Sequence, residues 1–392
     1  MKENIIKTYT NKYLMFKDFP KEHSYSIRDI FIEHWSNFCE YANINNLNIR
    51  DIVYFEVAKM MKCKTPQLGF SLYECPECHN THIQFHTCKS KFCTSCGNKY
   101  SKDRVISIES KLYNCNHRHL VFTIHDALWN LFREDRNRLN LLFEAVNITL
   151  SSWCKEKYGK HGFKLGFVLT LHTFGRDDKW NPHIHALIAE LLVKNNNCKR
   201  FDFFPYDMLR KRFQKVMLDL LEKNIGKQKF RQLKNKVYST SKNGFYVRAK
   251  KNENLGTKQN VEYVLRYCGR PAFAASKILN IKGDYITFWY QRHEDNLFVV
   301  ETIHIFEFIK RIIIHIPEYQ FKTIRYYGFY SKKSKFHDKM IMLVHPKKTE
   351  FARKFNKWFL LSLKTFNDSP LICSKCKTVM QFQYRCTKWR LA

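Results

Sequence analysis

The sequence has no long apolar run. None of its apolar stretches reaches the roughly 18 residues of a membrane-spanning helix, so no transmembrane segment is predicted. The N-terminal residues, MKENIIKT, contain no apolar core of the kind that secretory signal peptides carry. We therefore expect a cytoplasmic protein. In that compartment its 14 cysteines would serve as metal ligands or buried thiols, and not as a disulfide framework.

Acidic residues are also scarce. The 392-residue chain has 35 Asp and Glu against 68 Lys and Arg, a formal net charge of +33, and the excess is spread along its whole length. A field this positive favours a polyanionic partner, of which nucleic acid is the first candidate. The aromatic content of 16 % suits stacking on single-stranded bases. The alternative is a generic basic surface that reflects a biased coding sequence.

The length and the patterning predict a multidomain α+β protein. The chain is too long for one small core, so two or three domains are expected. We predict an N-terminal helical, zinc-binding region for DNA binding at residues 1–112. A central domain on an antiparallel sheet is predicted at 113–305, with a basic helical insertion at about 200–256. A helical, basic C-terminal region is predicted at 306–392.

Apolar spacing predicts the individual elements. Helices are predicted over most of residues 1–70 and over 129–158, 205–235, 303–316 and 348–364. Strands are predicted at 119–124, within a hairpin at 163–191, and at 284–304.

Two histidines alternate with apolar residues in the segment PHIHALI at 182–188. Because successive side chains of a strand point to opposite faces, His183 and His185 share one face. Turn-forming residues at 175–182 predict a hairpin with the preceding strand, and coincident core faces would bring His172 beside them. Three neutral imidazoles suit zinc, manganese or nickel, although phosphate oxygens and water could complete a magnesium or manganese shell. The alternative is a set of ordinary polar positions on a half-exposed sheet.

Two tyrosines stand one helical turn apart in the segment YVLRYCGRP at 263–271. At about 100° per residue, Tyr263, Arg266, Tyr267 and Arg270 form one stripe, opposite an apolar stripe. The arginines offer donors for phosphate and could help to lower the phenol pKa, which near 10 is too high for a nucleophile at neutral pH. The alternative is a solvated face with two incidental tyrosines.

The cysteines concentrate between residues 75 and 96. Cys75, Cys78, Cys93 and Cys96 form two Cys-x2-Cys pairs separated by fourteen residues, a spacing typical of a tetrahedral structural zinc site. Cys88 is a fifth candidate ligand. Nearby basic residues indicate a DNA-binding element; they are Lys89, Lys91, Lys99, Lys102 and Arg104. The alternative is that the cysteines are buried reduced thiols.

A second cysteine group lies near the end of the sequence. Cys373, Cys376 and Cys386 repeat the spacing of the first three cysteines of the N-terminal group. They predict a possible second zinc knuckle, for which a fourth ligand is not identified.

Together these motifs resemble the two-tyrosine HUH (His-hydrophobe-His) transposases of the insertion-sequence-91 type, which move by a rolling-circle or peel-and-paste route. The likeness spans nearly the whole chain and keeps the family's order. The motifs that carry the resemblance are the cysteine-rich opening at 75–97, the strand at 119–124, the histidine hairpin at 171–185, the tyrosine motif at 263–271 and the segment IRYYG at 324–328.

The resemblance implies an activity and a mechanism. Residues 113–305 would form an HUH nuclease domain, in which Tyr263 or Tyr267 attacks single-stranded DNA, leaving a 5′-phosphotyrosine and a free 3′-hydroxyl. The second tyrosine would allow a second cleavage, and the histidines would hold Mg²⁺ or Mn²⁺ at the scissile phosphate. Arg266 and Arg270 would contact phosphates. The partners would be the single-stranded ends of a mobile element and target DNA, in the nucleoid of a prokaryotic cytoplasm.

Two alternatives remain open. A plasmid relaxase or rolling-circle replication initiator shares the HUH core but not this cysteine-rich opening. A protein of another class, which binds nucleic acid with zinc but does not cleave it, would also have this composition. The sequence does not address the oligomeric state.

Overall fold

The computed structural model describes residues 5–11, 25–109, 111–194, 197–249, 273–292, 295–331 and 371–387, with the backbone alone given at 5–11. Eight α-helices lie in these ranges: α1 Ile27–Ile44, α2 Asp51–Met61, α3 Thr94–Glu109, α4 Trp129–Glu134, α5 Leu139–Tyr158, α6 Tyr206–Ile225, α7 Lys227–Thr240 and α8 Ile305–Ile313.

The same ranges contain thirteen strands in three antiparallel sheets. They are β1 Ile5–Asn11, β2 Phe70–Glu74, β3 Thr81–Phe85, β4 His117–Thr123, β5 Lys164–Phe174, β6 Trp180–Lys194, β7 Asn197–Arg200, β8 Tyr246–Ala249, β9 Ile278–Lys282, β10 Tyr285–Gln291, β11 Phe298–His304, β12 Ile324–Gly328 and β13 Gln381–Cys386. The mixed α+β class predicted from the sequence is confirmed.

The largest sheet has the strand order β12-β5-β6-β4-β8, and β7 pairs with the end of β6. One of its faces packs on α4, α5 and α6 through a continuous apolar core. This core contains Leu169 and Leu171 from β5 and Ile184 and Ala186 from β6, each buried. These are the residues that strand alternation places on the core face, so the predicted parity of both strands is correct. Burial of each leucine stabilises the sheet by roughly 1.5–3 kcal/mol.

The opposite face of this sheet is divided along its length. At one end Val168 and Leu187 are covered by Ile108, Phe329 and neighbouring apolar residues. The other end carries histidines instead. The polar positions predicted by alternation therefore lie on the face that the helical core does not cover.

The segment IRYYG at 324–328 forms β12, the edge strand beside β5. Its glycine has a φ of +59°, and a Cβ atom there would lie 1.6 Å from the carbonyl oxygen of Leu165. Gly166, which pairs with Gly328, leaves room for the Phe329 ring, which a Cβ atom would meet at 2.3 Å. Both glycines are therefore required by close packing at the same point of the sheet.

A second core lies between α1, α2, α8 and the sheet β1-β11-β10-β9. It combines residues from all three predicted regions, since its members range from Ile27 to Ile316. Within it, Arg311 donates two hydrogen bonds to the Glu301 carboxylate, at 3.0 and 2.9 Å.

Several local predictions need correction or fall outside the described residues. The N-terminal region is not helical throughout, because β1 forms an edge strand beside β11. The helix predicted over 205–235 is two helices, α6 and α7, separated at Gly226, whose φ of +100° is incompatible with a continuing helix. The helix predicted at 348–364 lies outside the described residues. None of the helices in the described ranges combines the length and apolarity needed to cross a bilayer.

The third sheet has the order β13-β2-β3 and joins distant parts of the chain. The hairpin β2-β3 precedes α3, whereas β13 lies near the end of the sequence. Their pairing aligns Gln381 with Glu74 and Cys386 with Phe70, with a bulge between Phe382 and Tyr384. The tail of the chain is thereby placed beside its N-terminal cysteine-rich segment.

Candidate metal centre and cysteine clusters

Three histidines converge at the polar end of the central sheet. His172 on β5 pairs directly with His183 on β6, and His185 follows two positions later on the same face. One ring nitrogen from each lies within 4.8 Å of the other two. The Nε2 atoms of His183 and His185 are 3.0 Å apart, and the ring centroids of His172 and His185 are 4.3 Å apart. The structure thus brings together all three histidines that strand parity assigns to one face.

The backbone fixes the orientation of His183. Its Nδ1–H donates a hydrogen bond of 2.7 Å to the carbonyl oxygen of Asn181, so Nε2 is the nitrogen left to bind a metal. This arrangement is the one expected of metal-binding imidazoles, whose second nitrogen is held by another group.

His119 is a further member of the cluster, which was not predicted from the sequence. Its Nε2 lies 2.8 Å from Nδ1 of His185, and the two rings stack with centroids 5.0 Å apart and planes 9° apart. On β4 it pairs with Leu187, which shares a face with His183 and His185. Strand parity alone does not identify it, because the pairing of β4 with β6 must also be known.

Burial keeps His183 and His185 neutral. Loss of contact with water lowers the pKa of His183 to about 4. Desolvation also lowers the pKa of His185 well below its ordinary value, with smaller contributions from His172, His183 and His119. Neutral imidazole is the form that binds metals, so at neutral pH the site presents nitrogen lone pairs without prior loss of a proton.

The hairpin turn beside the histidines is anchored to the second core. Asp178, in the turn, is buried and accepts hydrogen bonds from Lys277 Nζ at 2.9 and 3.2 Å. His315, which follows α8, donates from Nε2 to the carbonyl oxygen of Asp178 at 2.9 Å and accepts at Nδ1 from the Thr173 hydroxyl at 3.0 Å. Since Thr173 is adjacent to His172, this anchor restrains the end of β5 that carries the first histidine.

Burial shifts the pKa of both anchor groups. Desolvation raises the pKa of Asp178 to about 6, against the opposing influence of Lys277. Desolvation lowers the pKa of His315 to about 4, although its hydrogen bond to Asp178 acts in the other direction.

The tyrosine motif lies outside the described residues. The positions of Tyr263, Arg266, Tyr267 and Arg270 relative to the histidines therefore stay a prediction.

One cysteine cluster lies inside the second core, between α2 and the start of α3. It contains Cys63, Cys88, Cys93 and Cys96, all buried, with their sulfur atoms within 4.8 Å of one another. The Sγ atoms of Cys63 and Cys88 each lie 3.5 Å from that of Cys96.

A second cluster lies where the tail meets the N-terminal hairpin. It contains Cys75, Cys78, Cys373 and Cys376, again with sulfur atoms within 4.8 Å of one another. Every cysteine in the described ranges is free of a disulfide bond.

These clusters correct the grouping predicted from the sequence. Cys75, Cys78, Cys93 and Cys96 do not share one site, because β2-β3 carries the first pair away from the second. Cys88 belongs with Cys93 and Cys96, and their fourth member is Cys63, which the sequence analysis left out.

The tail cysteines are also regrouped. Cys373 and Cys376 lie with Cys75 and Cys78, which supply the partners that the tail alone lacked. Cys386 is in neither cluster, because it ends β13 opposite Phe70.

Comparison with known proteins adds the family. A family model described as a putative transposase matches residues 166–338, which contain the histidine hairpin. A model described as a transposase zinc-binding domain matches residues 30–124, which contain the first cysteine cluster.

Two whole-protein relatives agree. The chain is 28 % identical over 316 residues to the transposase for insertion sequence element IS801 of Pseudomonas savastanoi pv. phaseolicola, covering 76 % of this chain and 75 % of the relative. It is 26 % identical over 287 residues to the putative transposase y4qJ of Sinorhizobium fredii, covering 68 % of this chain and 71 % of that protein. No solved structure matches.

The class of protein is thus a zinc-binding transposase. More narrowly, the chain belongs to the transposases of the insertion-sequence-91 type, as the resemblance predicted.

Proposed function

We propose that this transposase cleaves and rejoins single-stranded DNA through 5′-phosphotyrosine intermediates, at a divalent-metal site made by His172, His183 and His185. The observation that carries the proposal is the convergence of three imidazoles on one face of β5 and β6. Transposition requires a DNA-cleaving centre. Within the described residues, this histidine group supplies nitrogen ligands for a metal ion in such a centre.

The three imidazole nitrogens fit a transition-metal ion such as zinc or manganese. Tetrahedral ligands about 2.0–2.1 Å from zinc would be roughly 3.3 Å apart, close to the 3.0 Å between the Nε2 atoms of His183 and His185. Three nitrogens are a poorer match for Mg²⁺, so Mn²⁺ is the better candidate and Mg²⁺ would depend on phosphate oxygens and water to complete its shell. When bound, the ion would polarise the scissile phosphate and stabilise charge at phosphorus.

The protein's own side chains would supply the nucleophile and bind the neighbouring phosphates. Tyr263 or Tyr267 would attack phosphorus as its phenol proton is lost, the bond from phosphorus to the 3′ oxygen would break, and that oxygen would take up a proton. The result is a 5′-phosphotyrosine and a free 3′-hydroxyl, and attack by a 3′-hydroxyl on the phosphotyrosine would reverse the step. The arginines of the motif, Arg266 and Arg270, would bind the neighbouring phosphates.

We also propose that Cys63, Cys88, Cys93 and Cys96 bind a structural zinc ion. A tetrahedral ion with Zn–S bonds of about 2.3 Å would separate its sulfur ligands by roughly 3.8 Å, near the 3.5 Å observed for two of the pairs. Their place inside the second core, among α1, α2 and the start of α3, is that of a fold-stabilising ion.

The test is covalent capture of DNA. Labelled single-stranded oligonucleotides that tile the DNA on both sides of the gene are incubated with the protein and Mn²⁺, then run on a denaturing gel. We expect an adduct on oligonucleotides from the element ends. His183→Ala and His185→Ala should abolish it, whereas His161→Ala, an exposed histidine before β5, should not.

The tyrosines are tested in the same assay. Tyr263→Phe and Tyr267→Phe should separate the two cleavages, and the double variant should form no adduct. An undiminished adduct in the double variant would contradict the two-tyrosine mechanism. Adducts on a plasmid origin instead of element ends would favour the relaxase or initiator alternative, and their absence on every oligonucleotide would favour the non-catalytic one.

A further inference from the structure

The segment around Cys75 and Cys78 forms a tight turn at the end of β2. The backbone N–H of His79 donates to the carbonyl oxygen of Cys75 at 3.0 Å, and the N–H of Cys75 donates to the carbonyl oxygen of Asn80 at 2.9 Å. His79 has a φ of +54°, a left-handed conformation that turns the chain back into β3.

The segment around Cys373 and Cys376 repeats this turn. The N–H of Lys377 donates to the carbonyl oxygen of Cys373 at 3.1 Å, and the N–H of Cys373 donates to that of Thr378 at 2.9 Å. Lys377 has a φ of +64°. Two Cys-x2-Cys turns with the same hydrogen bonds and the same left-handed residue thus occur almost three hundred positions apart in the sequence.

The two turns face each other across their sulfur atoms. The Sγ of Cys75 lies 3.3 Å from that of Cys376, and the Sγ of Cys78 lies 3.5 Å from Cys373 and 3.6 Å from Cys376. A disulfide would require about 2.05 Å. A tetrahedral zinc ion, with Zn–S bonds of about 2.3 Å, would require roughly 3.8 Å, so the observed separations match metal ligands and not cystines.

The surroundings also suit a metal thiolate site. Cys75 and Cys373 are buried in a small core with Tyr73 and Met380. The side-chain amide of Asn80 donates to the Sγ of Cys373 at 3.8 Å, so a polar group from the N-terminal turn supports a sulfur of the C-terminal turn. Such contacts from a second layer orient metal ligands and stabilise their charge.

We propose that Cys75, Cys78, Cys373 and Cys376 bind a second structural zinc ion, which joins the tail of the chain to its N-terminal cysteine-rich hairpin. This site is composite, since neither turn holds more than two ligands. It also lies partly beyond the transposase zinc-binding domain, whose matched residues end at 124. The proposal does not depend on the DNA-cleavage mechanism.

The ion would stabilise a contact that the polypeptide alone holds weakly. Pairing of β13 with β2 closes a very long loop, and loop closure carries an entropic cost that grows with loop length. Tyr384 and Phe382 on β13 remain 52 % and 55 % exposed, so apolar burial contributes little to docking of the strand. We therefore expect the pairing of β13 with β2 to require zinc.

Metal content tests the site directly. Native mass spectrometry and elemental analysis are applied to the full-length protein carrying His183→Ala, so that zinc at the histidine site does not contribute, and should give two zinc ions per chain. Cys376→Ser should reduce this to one, because the buried cluster at Cys63 is untouched. The matched control is Cys386→Ser, a tail cysteine outside both clusters, which should retain two. Equal zinc contents with and without Cys376→Ser, or iron in place of the second zinc, would overturn the proposal.

Hydrogen exchange tests the consequence. In Cys376→Ser, the amides of β13 and their partners on β2 should exchange at least tenfold faster than in the unaltered protein and in Cys386→Ser. Amides of α1 and β5 should keep their protection, which shows that the variant is folded. Unchanged protection of β13 in a variant that has lost one zinc would contradict a role for the ion in holding the tail.

Discussion

His119 Nε2 lies 2.8 Å from His185 Nδ1, on the strand next to the one that carries His185. This contact occupies the nitrogen of His185 that faces away from His183, and so leaves Nε2 of His185 pointing to the shared site. His119 is therefore a positioning residue for the proposed metal centre, and its contribution should appear in metal affinity.

We expect His119→Phe, which keeps a stacking ring but removes the hydrogen bond, to weaken metal binding by about 10–100-fold, the range typical of partners in the second layer. His119→Gln, which keeps a polar partner, should recover part of the loss. Manganese titration followed by adduct formation and by isothermal calorimetry measures both. His161→Ala serves as the control, and a half-saturation point that is identical in His119→Phe would exclude the positioning role.

The histidine hairpin was predictable because its information is local. Strand alternation, a turn between two strands and a shared core face are enough to place His172 beside His183, and all three are properties of about twenty contiguous residues. His119 required one further fact, the pairing of β4 with β6. Neighbouring strands in a sheet are not specified by alternation alone.

The cysteines show where sequence reasoning fails. Spacing identifies the three Cys-x2-Cys pairs correctly, but these pairs can be combined with one another or with single cysteines in several ways, and spacing does not say which cysteines share an ion. The actual partners are chosen by tertiary structure: β13 brings the tail to Cys75, and α2 brings Cys63 to Cys93. Neither contact has a local signature in the sequence.

The buried ion pair of Glu301 and Arg311 leads to a stability prediction. Their side chains are 4 % and 11 % exposed, and two hydrogen bonds join them. Glu301→Ala would leave the arginine charge with the more distant Glu307, so we expect the free energy of unfolding to fall by about 3–5 kcal/mol. Urea denaturation followed by circular dichroism measures this. Glu307→Ala, at the exposed end of the same network, should change stability by less than about 1 kcal/mol, and equal effects of the two substitutions would contradict the role of burial.

Gly328 and Gly283 form a matched pair for testing the edge strand. Both have positive φ, +59° and +55°, but a Cβ atom at Gly328 would collide with the carbonyl of Leu165 at 1.6 Å, whereas one at Gly283 would meet nothing within 4 Å. Gly283→Ala should cost about 1–2 kcal/mol from the left-handed backbone alone. Gly328→Ala should cost clearly more and should displace β12, which hydrogen exchange of residues 324–328 would detect. Equal losses of stability would mean that β12 does not pack as closely as the structure shows.

The anchor of the hairpin turn predicts two pH effects of opposite sign. The pKa of His315 is lowered to about 4 in the folded state from an ordinary 6.5, so its contribution to stability is complete above pH 6.5 and is lost as the pH falls towards 4. The pKa of Asp178 is raised to about 6 from 3.8, so its contribution is complete below pH 3.8 and is lost as the pH rises through 6. Between pH 7 and 4 each changes the free energy of unfolding by about 2–3 kcal/mol, and the two changes oppose each other.

Single substitutions should separate these effects. Relative to the unaltered protein, His315→Gln should gain stability as the pH falls from 7 to 4, because the loss associated with protonating the buried imidazole is absent. Asp178→Asn should lose stability relative to the unaltered protein over the same range, because the gain from protonating the buried carboxyl is absent. Urea unfolding at half-unit steps of pH gives both differences, and titrating groups common to all three proteins cancel in the comparison. Parallel curves for the three proteins would show that neither group has the shifted pKa that its burial implies.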